Sequence, residues 1–101
     1  MGLVKDIEVF LGDKFNRKYC IITGSGTTAL YLTLKVLKLK EGDTVLLPGI
    51  CCFAVAYAVK YAGLKLDFCD VSINDVCLST DALEASIKHN PSIKVVIGVH
   101  L

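Results

Sequence analysis

Residues 24–30, Gly24-Ser25-Gly26-Thr27-Thr28-Ala29-Leu30, decide how the rest of the chain is interpreted. They follow the short β-branched run 19–23 and precede a long segment of helical apolar spacing, so the order predicts strand, glycine turn and helix start. The first turn of a helix carries unpaired backbone N–H groups and the positive end of the helix dipole. Glycine allows an anion to approach those groups closely, and the stretch therefore predicts a phosphate site. The plain alternative is a turn glycine that meets no ligand.

Size and composition limit the fold to one unit. The chain has 101 residues, of which 53% are hydrophobic and 21% charged, and its net charge is +1. Such a chain is expected to be globular, with no surface for nucleic acid. Its longest apolar run, 50–59, is too short to span a bilayer, and the N-terminus resembles no signal peptide. The five cysteines form no C-x-x-C pair and predict reduced thiols in a cytoplasmic protein, with no metal site.

The apolar pattern alternates between helical and strand-like spacing along the whole chain. Helices are predicted at 4–15, 27–39, 52–61 and 81–89, with Gly12 as a candidate end of the first and Thr80 as the candidate N-cap of the last. Strands are predicted at 19–23, 44–47, 64–70 and 93–101. The resulting order, α-βα-βα-βα-β, predicts an α/β fold with a mostly parallel sheet and crossover helices. Because ligands of such sheets bind beyond the carboxyl ends of the strands, the site is expected at that edge.

The glycine turn also matches the dinucleotide fingerprint G-x-G-x-x-A. That interpretation requires an acidic residue at the end of the second strand to hold a ribose. The sequence has Leu46-Leu47-Pro48-Gly49 there, and Asp43 lies before the strand. A small Rossmann-like nucleotide-binding or regulatory module therefore remains only an alternative.

Five motifs in register resemble the DegT/DnrJ/EryC1/StrS family of sugar aminotransferases. They are Ser25-Gly26-Thr27-Thr28-Ala29-Leu30; Gly42-Asp43-Thr44-Val45 with Pro48; the alanine-rich helix Ala54 to Ala58; Ala62-Gly63 with Phe68 and Asp70; and Val99-His100. The resemblance covers nearly the whole chain and implies the N-terminal part of the large domain of a fold-type I enzyme that uses pyridoxal 5'-phosphate. Residues 1–101 would be that part alone, without the small domain.

The resemblance also implies site residues and partners. Ser25, Gly26 and Thr27 would hold the cofactor phosphate, and Cys52 occupies the position where the family usually places an aromatic residue on the pyridoxal ring. Phe53 would take that role if the register shifted by one residue; the alanines that follow favour Cys52. A keto nucleotide sugar and glutamate are the implied substrates, and a homodimer or a complementing C-terminal chain the implied partner.

The resemblance implies no catalytic residue within these 101 positions. The family's Schiff-base lysine and the acid that pairs with the pyridine nitrogen belong to segments after the strand that ends at His100. We therefore expect a fragment that is inactive by itself. For Asp70 a turn role is favoured over a site role; for His100 a structural hydrogen bond is at least as plausible as catalysis; and His89 is expected to interact with a helix dipole.

Overall fold

The computed structural model describes residues 2–100. Within that range the elements are α1 (Leu3–Lys14), α2 (Gly26–Val36), β1 (Thr44–Pro48), α3 (Phe53–Tyr61), β2 (Lys65–Cys69), α4 (Thr80–His89) and β3 (Ile93–Val96). The α/β class is confirmed. Three of the four predicted strands are also confirmed, and all four predicted helices are confirmed to within a few residues.

The three strands form one parallel sheet in the order β2-β1-β3. All five residues of the central strand β1 are buried, as expected for a parallel strand that has neighbours on both sides and both faces covered. The connections β1-α3-β2 and β2-α4-β3 are the predicted helical crossovers. The two crossovers run in opposite directions across the sheet, because β2 lies on one side of β1 and β3 on the other. The direction of the strand order therefore reverses at β1, which ends at Pro48.

The hydrophobic core lies on the sheet face that α2 and α3 cover. Val45 and Leu47 of β1 are fully buried there against Leu34 of α2 and Val59 of α3. Burial of such side chains contributes about 1.5–3 kcal/mol each. Because α2 is held by this core, its N-terminal residues occupy a defined place beside α3.

The strand predicted at 19–23 is wrong, because these residues have no ladder partner within the described chain. Their β-branched composition favours extended backbone but cannot supply a neighbouring strand. The amide of Ile22 instead donates a hydrogen bond to the Glu8 carboxylate of α1, at 2.9 Å. The segment is therefore an extended lead-in to α2 outside the sheet.

Smaller differences concern where the elements end. Gly12 lies inside α1 and does not end it. Ser79, not Thr80, caps α4, because its hydroxyl accepts the Ala82 amide at 3.3 Å. The strand predicted to reach Leu101 ends at Val96, and Leu101 itself lies outside the described residues.

A polar network joins the amino ends of β1 and β3. The buried Thr44 hydroxyl is 2.8 Å from the Ser92 hydroxyl, which donates to the Asn90 side-chain carbonyl at 2.6 Å. The Asn90 side-chain amide in turn lies 3.5 Å from the Asp67 carboxylate of β2. These contacts stabilise the pairing of the strands at the amino end of the sheet.

Candidate functional site

Ser25 defines the start of α2. Its backbone is extended, and its hydroxyl accepts a hydrogen bond from the Thr28 amide at 3.1 Å. The Ser25 carbonyl accepts the first helical hydrogen bond, from Ala29, at 3.0 Å. This is the usual arrangement of a serine N-cap, in which the side chain satisfies one of the free amides of the first turn.

The amides of Gly26 and Thr27 lie between Ser25, which caps the helix, and Thr28, whose amide the Ser25 hydroxyl accepts. Among the described residues neither amide has an acceptor. They combine with the positive end of the α2 dipole, which favours a negatively charged group within the first turn. The two amides are therefore available to an anion, and their assignment as a phosphate site stays a prediction.

Gly26 has no internal reason to be glycine. Its φ lies outside the left-handed region, and a Cβ at this position would meet nothing within 4 Å. Neither backbone strain nor packing within the described chain would exclude alanine. A group that approaches from outside would be obstructed by a methyl group, so an external phosphate gives a physical reason for the glycine.

A groove of about 460 Å³ lies beside this turn. It is lined by Ser25, Thr27, Thr28, Tyr31 and Tyr61. The structure therefore places two of the predicted phosphate-binding residues on one concave surface. The hydroxyl groups of Ser25 and Thr28, 3.0 Å apart, are engaged with each other at its edge.

Tyr31 and Tyr61 were not predicted as site residues. Tyr31 follows Thr27 by four positions and Thr28 by three, so helical spacing alone indicates that it shares their face. Tyr61 lies at the end of α3, and only the packing of α3 against α2 brings it to the groove. No sequence pattern signals that contact.

Cys52 is not among the residues that line the groove. It is exposed at the residue before α3, where its side chain caps no amide. The neighbouring Phe53 is 72% exposed, and its ring packs edge-on against Tyr57 with centroids 5.4 Å apart. The assignment of Cys52 to the pyridoxal ring stays a prediction, with Phe53 as the alternative.

The carboxyl edge of the sheet brings the ends of β1 and β2 together. The Gly49 amide, just after β1, donates to the Cys69 carbonyl at 2.8 Å. Burial raises the pKa of the Cys69 thiol above its usual range, and the charges of Asp70 and Asp67 raise it further. The raised pKa favours the neutral thiol, which is a poorer nucleophile than the thiolate.

The other polar candidates have mainly local contacts. The Asp70 carboxylate accepts the Val71 amide at 2.8 Å, which is the turn role that the sequence favoured. His89 lies in the last turn of α4, as expected for a dipole partner. His100 is exposed, and no hydrogen bond links it to another described residue.

The dinucleotide interpretation loses its structural context. The fingerprint requires a strand of the sheet directly before the glycine turn. The residues in that position, 19–23, are outside the sheet. The missing ribose acid and the missing strand together disfavour a Rossmann-like site.

No helix within residues 2–100 combines the length and the apolar composition that crossing a membrane requires.

Comparison with known proteins gives a consistent match. The sequence profile described as "DegT/DnrJ/EryC1/StrS aminotransferase family" matches residues 3–101. The chain is 36% identical over 83 residues to an L-glutamine:2-deoxy-scyllo-inosose aminotransferase of Streptomyces kanamyceticus. That alignment covers 82% of this chain and 19% of the relative. It is 35% identical over 98 residues to a UDP-2-acetamido-2-deoxy-3-oxo-D-glucuronate aminotransferase of Pseudomonas aeruginosa. That alignment covers 97% of this chain and 27% of the relative.

The fold also matches a solved structure, that of the E. coli GDP-4-keto-6-deoxy-D-mannose-3-dehydratase with bound hydrated PLP. The TM-score is 0.88 at 29% identity, over 100% of this chain and 27% of that one. The 101 residues thus span about a fifth to a quarter of the length of these relatives.

Proposed function

Since this chain belongs to the DegT/DnrJ/EryC1/StrS aminotransferase family, we propose that it supplies the phosphate-binding part of a pyridoxal-phosphate site. The enzyme that uses this site would aminate a keto sugar. The observation that carries the proposal is that the amides of Gly26 and Thr27, at the start of α2, have no acceptor among residues 2–100. Their place in a groove beside a glycine that internal packing does not require supports the same conclusion.

The residues of this chain would bind and orient the cofactor. The amides of Gly26 and Thr27 would donate to the phosphate oxygens, and the Thr27 hydroxyl, on the groove, offers a further donor. Bound pyridoxal phosphate supplies an electron sink for chemistry next to an amino group. By fixing the phosphate, the turn would hold the ring at a constant place relative to the sheet.

Cys52 is proposed to pack against that ring. A thiol is soft and polarisable but offers less contact area than an aromatic side chain. Its exposure leaves the sulfur available for such a contact. Phe53 is less suited to the role, because its ring is already engaged with Tyr57.

The substrate class is proposed from the relatives. Two of them are aminotransferases named for a keto inositol and a keto nucleotide sugar, and glutamine appears as donor in one name. We propose a keto nucleotide sugar as acceptor and glutamate as amino donor. A dehydratase also matches this stretch, at 29% identity. A role in binding the cofactor, which both kinds of enzyme would need, is therefore proposed for the stretch in preference to a role specific to amination.

The chain by itself is proposed to bind the cofactor without transaminating. No lysine is among the residues that line the groove in the described part of the chain. Transamination needs a lysine near the cofactor to move the proton. A mixture of the chain, pyridoxal phosphate, glutamate and a keto nucleotide sugar should therefore release no 2-oxoglutarate above the rate of free cofactor. Steady turnover that depended on one lysine of this chain would overturn this proposal.

Cofactor binding is tested by titration with three ligands while the amide resonances are followed. Pyridoxal phosphate and inorganic phosphate should shift the Gly26 and Thr27 amides at the same positions, and pyridoxal without phosphate should not. A response confined to other residues, or equal binding of pyridoxal, would exclude the phosphate turn as the site.

Further polypeptide is proposed to cover the apolar surface. Large hydrophobic side chains are exposed on several elements; examples are Leu3 at 74%, Phe10 at 62%, Val36 at 73% and Ile73 at 95%. A surface of this kind favours association. A second copy or a complementing C-terminal chain would bury it, and sedimentation with and without a co-expressed C-terminal segment distinguishes the two. A stable monomer with a cooperative melt would argue against both.

A further inference from the structure

We propose that Glu8 is a positioning residue for the phosphate turn, acting through its hydrogen bond to the backbone of Ile22. This inference rests on the proposed function, because it assigns Glu8 to the same phosphate site. It follows from three features: the contact between Glu8 and Ile22, the close approach at Gly12, and the short path from Ile22 to Ser25.

The contact joins two parts of the chain that are 14 residues apart. Glu8 Oε1 accepts the Ile22 amide at 2.9 Å, and the Glu8 side chain is only 16% exposed. The Lys5 ammonium is 3.9 Å from the other carboxylate oxygen, Oε2. Because the acceptor is a partly shielded carboxylate, this hydrogen bond belongs to the stronger, charge-assisted class.

Gly12 allows the two parts to approach. It is the buried residue of α1, and its carbonyl accepts the Arg17 amide at 2.8 Å. A Cβ at position 12 would lie 3.0 Å from the Arg17 carbonyl oxygen, which is backbone and cannot move aside easily. The same Cβ would lie 3.9 Å from the Cβ of Cys20 in the lead-in segment, so the absence of a side chain at Gly12 lets that segment lie close to α1, one turn away from Glu8.

The path from Ile22 to the turn is short and has its own hydrogen bonds. Ser25 follows Ile22 by three residues, and the Thr23 hydroxyl donates to the Ser25 carbonyl at 2.7 Å. The lead-in lacks the ladder hydrogen bonds that would hold a strand in place. The Glu8 carboxylate takes the place of a ladder acceptor, so it limits where Ser25, Gly26 and Thr27 lie relative to α1.

The experiment compares four variants with the unmodified chain. Glu8→Ala removes the acceptor, Glu8→Gln keeps an oxygen that can accept without charge, and Lys5→Ala removes only the ion pair. Glu84→Ala is the matched control, because Glu84 is an exposed carboxylate paired with Lys88 at 2.9 Å on α4. Hydrogen exchange of individual amides and the affinity for pyridoxal phosphate are measured for each.

Glu8→Ala should speed exchange of the Ile22 amide by about tenfold and also speed that of the Thr28 amide, since one charge-assisted hydrogen bond is lost. The amides of Val45 and Leu47 should keep their rates. The affinity for pyridoxal phosphate should fall about three- to tenfold. Glu8→Gln should keep most of the exchange protection of Ile22 and Thr28 and most of the affinity for pyridoxal phosphate. Lys5→Ala and Glu84→Ala should change neither the protection nor the affinity.

The proposal is overturned if Glu8→Ala leaves Thr28 exchange unchanged, or if Glu84→Ala has the same effect. It is also overturned if Glu8→Ala loses Ile22 protection while phosphate affinity is kept, because Glu8 would then only attach α1. If the unmodified chain binds no pyridoxal phosphate, the proposed function fails. The exchange of Thr28 still decides whether Glu8 positions the turn.

Discussion

The Ser25 hydroxyl and the Thr28 amide are joined by a hydrogen bond of 3.1 Å, which closes the first turn of α2 around two amides that have no acceptor in the described chain. The serine therefore has a defined structural role before any ligand is considered. What the cap leaves free, at Gly26 and Thr27, is the part of the turn that can receive a phosphate.

Replacing Ser25 by alanine should separate capping from phosphate binding. Loss of the cap should reduce the free energy of unfolding by about 1 kcal/mol. The matched control is Ser79→Ala, which removes the corresponding cap of α4, where Ser79 accepts the Ala82 amide at 3.3 Å. Denaturant unfolding should show similar losses for both, whereas pyridoxal phosphate affinity should fall only for Ser25→Ala. An equal affinity in both variants would contradict a phosphate site at Ser25.

Gly26→Ala should weaken phosphate binding without loss of stability. A Cβ at Gly26 meets nothing within 4 Å, so the free energy of unfolding should stay the same or rise by about 0.4–1 kcal/mol. The added methyl group would obstruct an approaching phosphate, and titration should show affinity reduced by about tenfold or more. Gly98→Ala, also at a position where a Cβ would meet nothing, should leave the affinity unchanged. Unchanged affinity in Gly26→Ala would remove the reason proposed for this glycine.

Cys52→Phe should tighten cofactor binding if position 52 packs on the pyridoxal ring. An aromatic pair adds about 0.5–1.5 kcal/mol beyond its buried area. Pyridoxal phosphate affinity should therefore increase severalfold, while inorganic phosphate, which has no ring, should bind as before. Phe53→Ala tests the alternative register: it should lose the contact with Tyr57 and little affinity. The opposite pattern would transfer the ring contact to Phe53.

Thr44→Val should destabilise the sheet at the amino end of β1. The valine keeps the shape of the buried threonine but loses the contact with the Ser92 hydroxyl at 2.8 Å. We expect about 1 kcal/mol lower free energy of unfolding, measured in denaturant. The double variant with Ser92→Ala should lose less than the sum of the single variants, because both remove the same hydrogen bond. Additive losses would show that the two hydroxyl groups do not interact.

Alkaline solution should destabilise the chain through Cys69. Its pKa is raised in the folded protein by burial and by Asp70 and Asp67, so the thiol remains neutral at pH values where the unfolded chain would ionise. The contribution to stability is full below the ordinary thiol pKa and decreases as the pH rises through the higher folded value. Iodoacetamide should also modify exposed Cys52 faster than buried Cys69 in the folded chain, but at similar rates in denaturant. Equal rates in the folded chain would contradict the burial of Cys69.

The local signals in the sequence predicted most of the elements. Helical spacing located α1 to α4, and continuous apolar runs located β1, β2 and β3, because each pattern reflects the burial of one face or of both. The run 19–23 misled the prediction, since β-branched composition is the same in a strand and in an isolated extended segment. What distinguishes the two is a neighbouring strand, which lies elsewhere in the chain.

For the candidate site, too, some features follow from the sequence and others only from the tertiary structure. The sequence by itself predicted the turn at the start of α2 and its proposed phosphate role, because Ser25, Gly26 and Thr27 are adjacent and the chemistry of a helix start is local. It also determined the family, through motifs that keep their spacing. Only the tertiary structure decided that Tyr61 lines the groove, that Glu8 accepts a hydrogen bond from Ile22, and that burial raises the pKa of Cys69. Each of these depends on packing between distant segments, and neither spacing nor residue type encodes such contacts in one sequence.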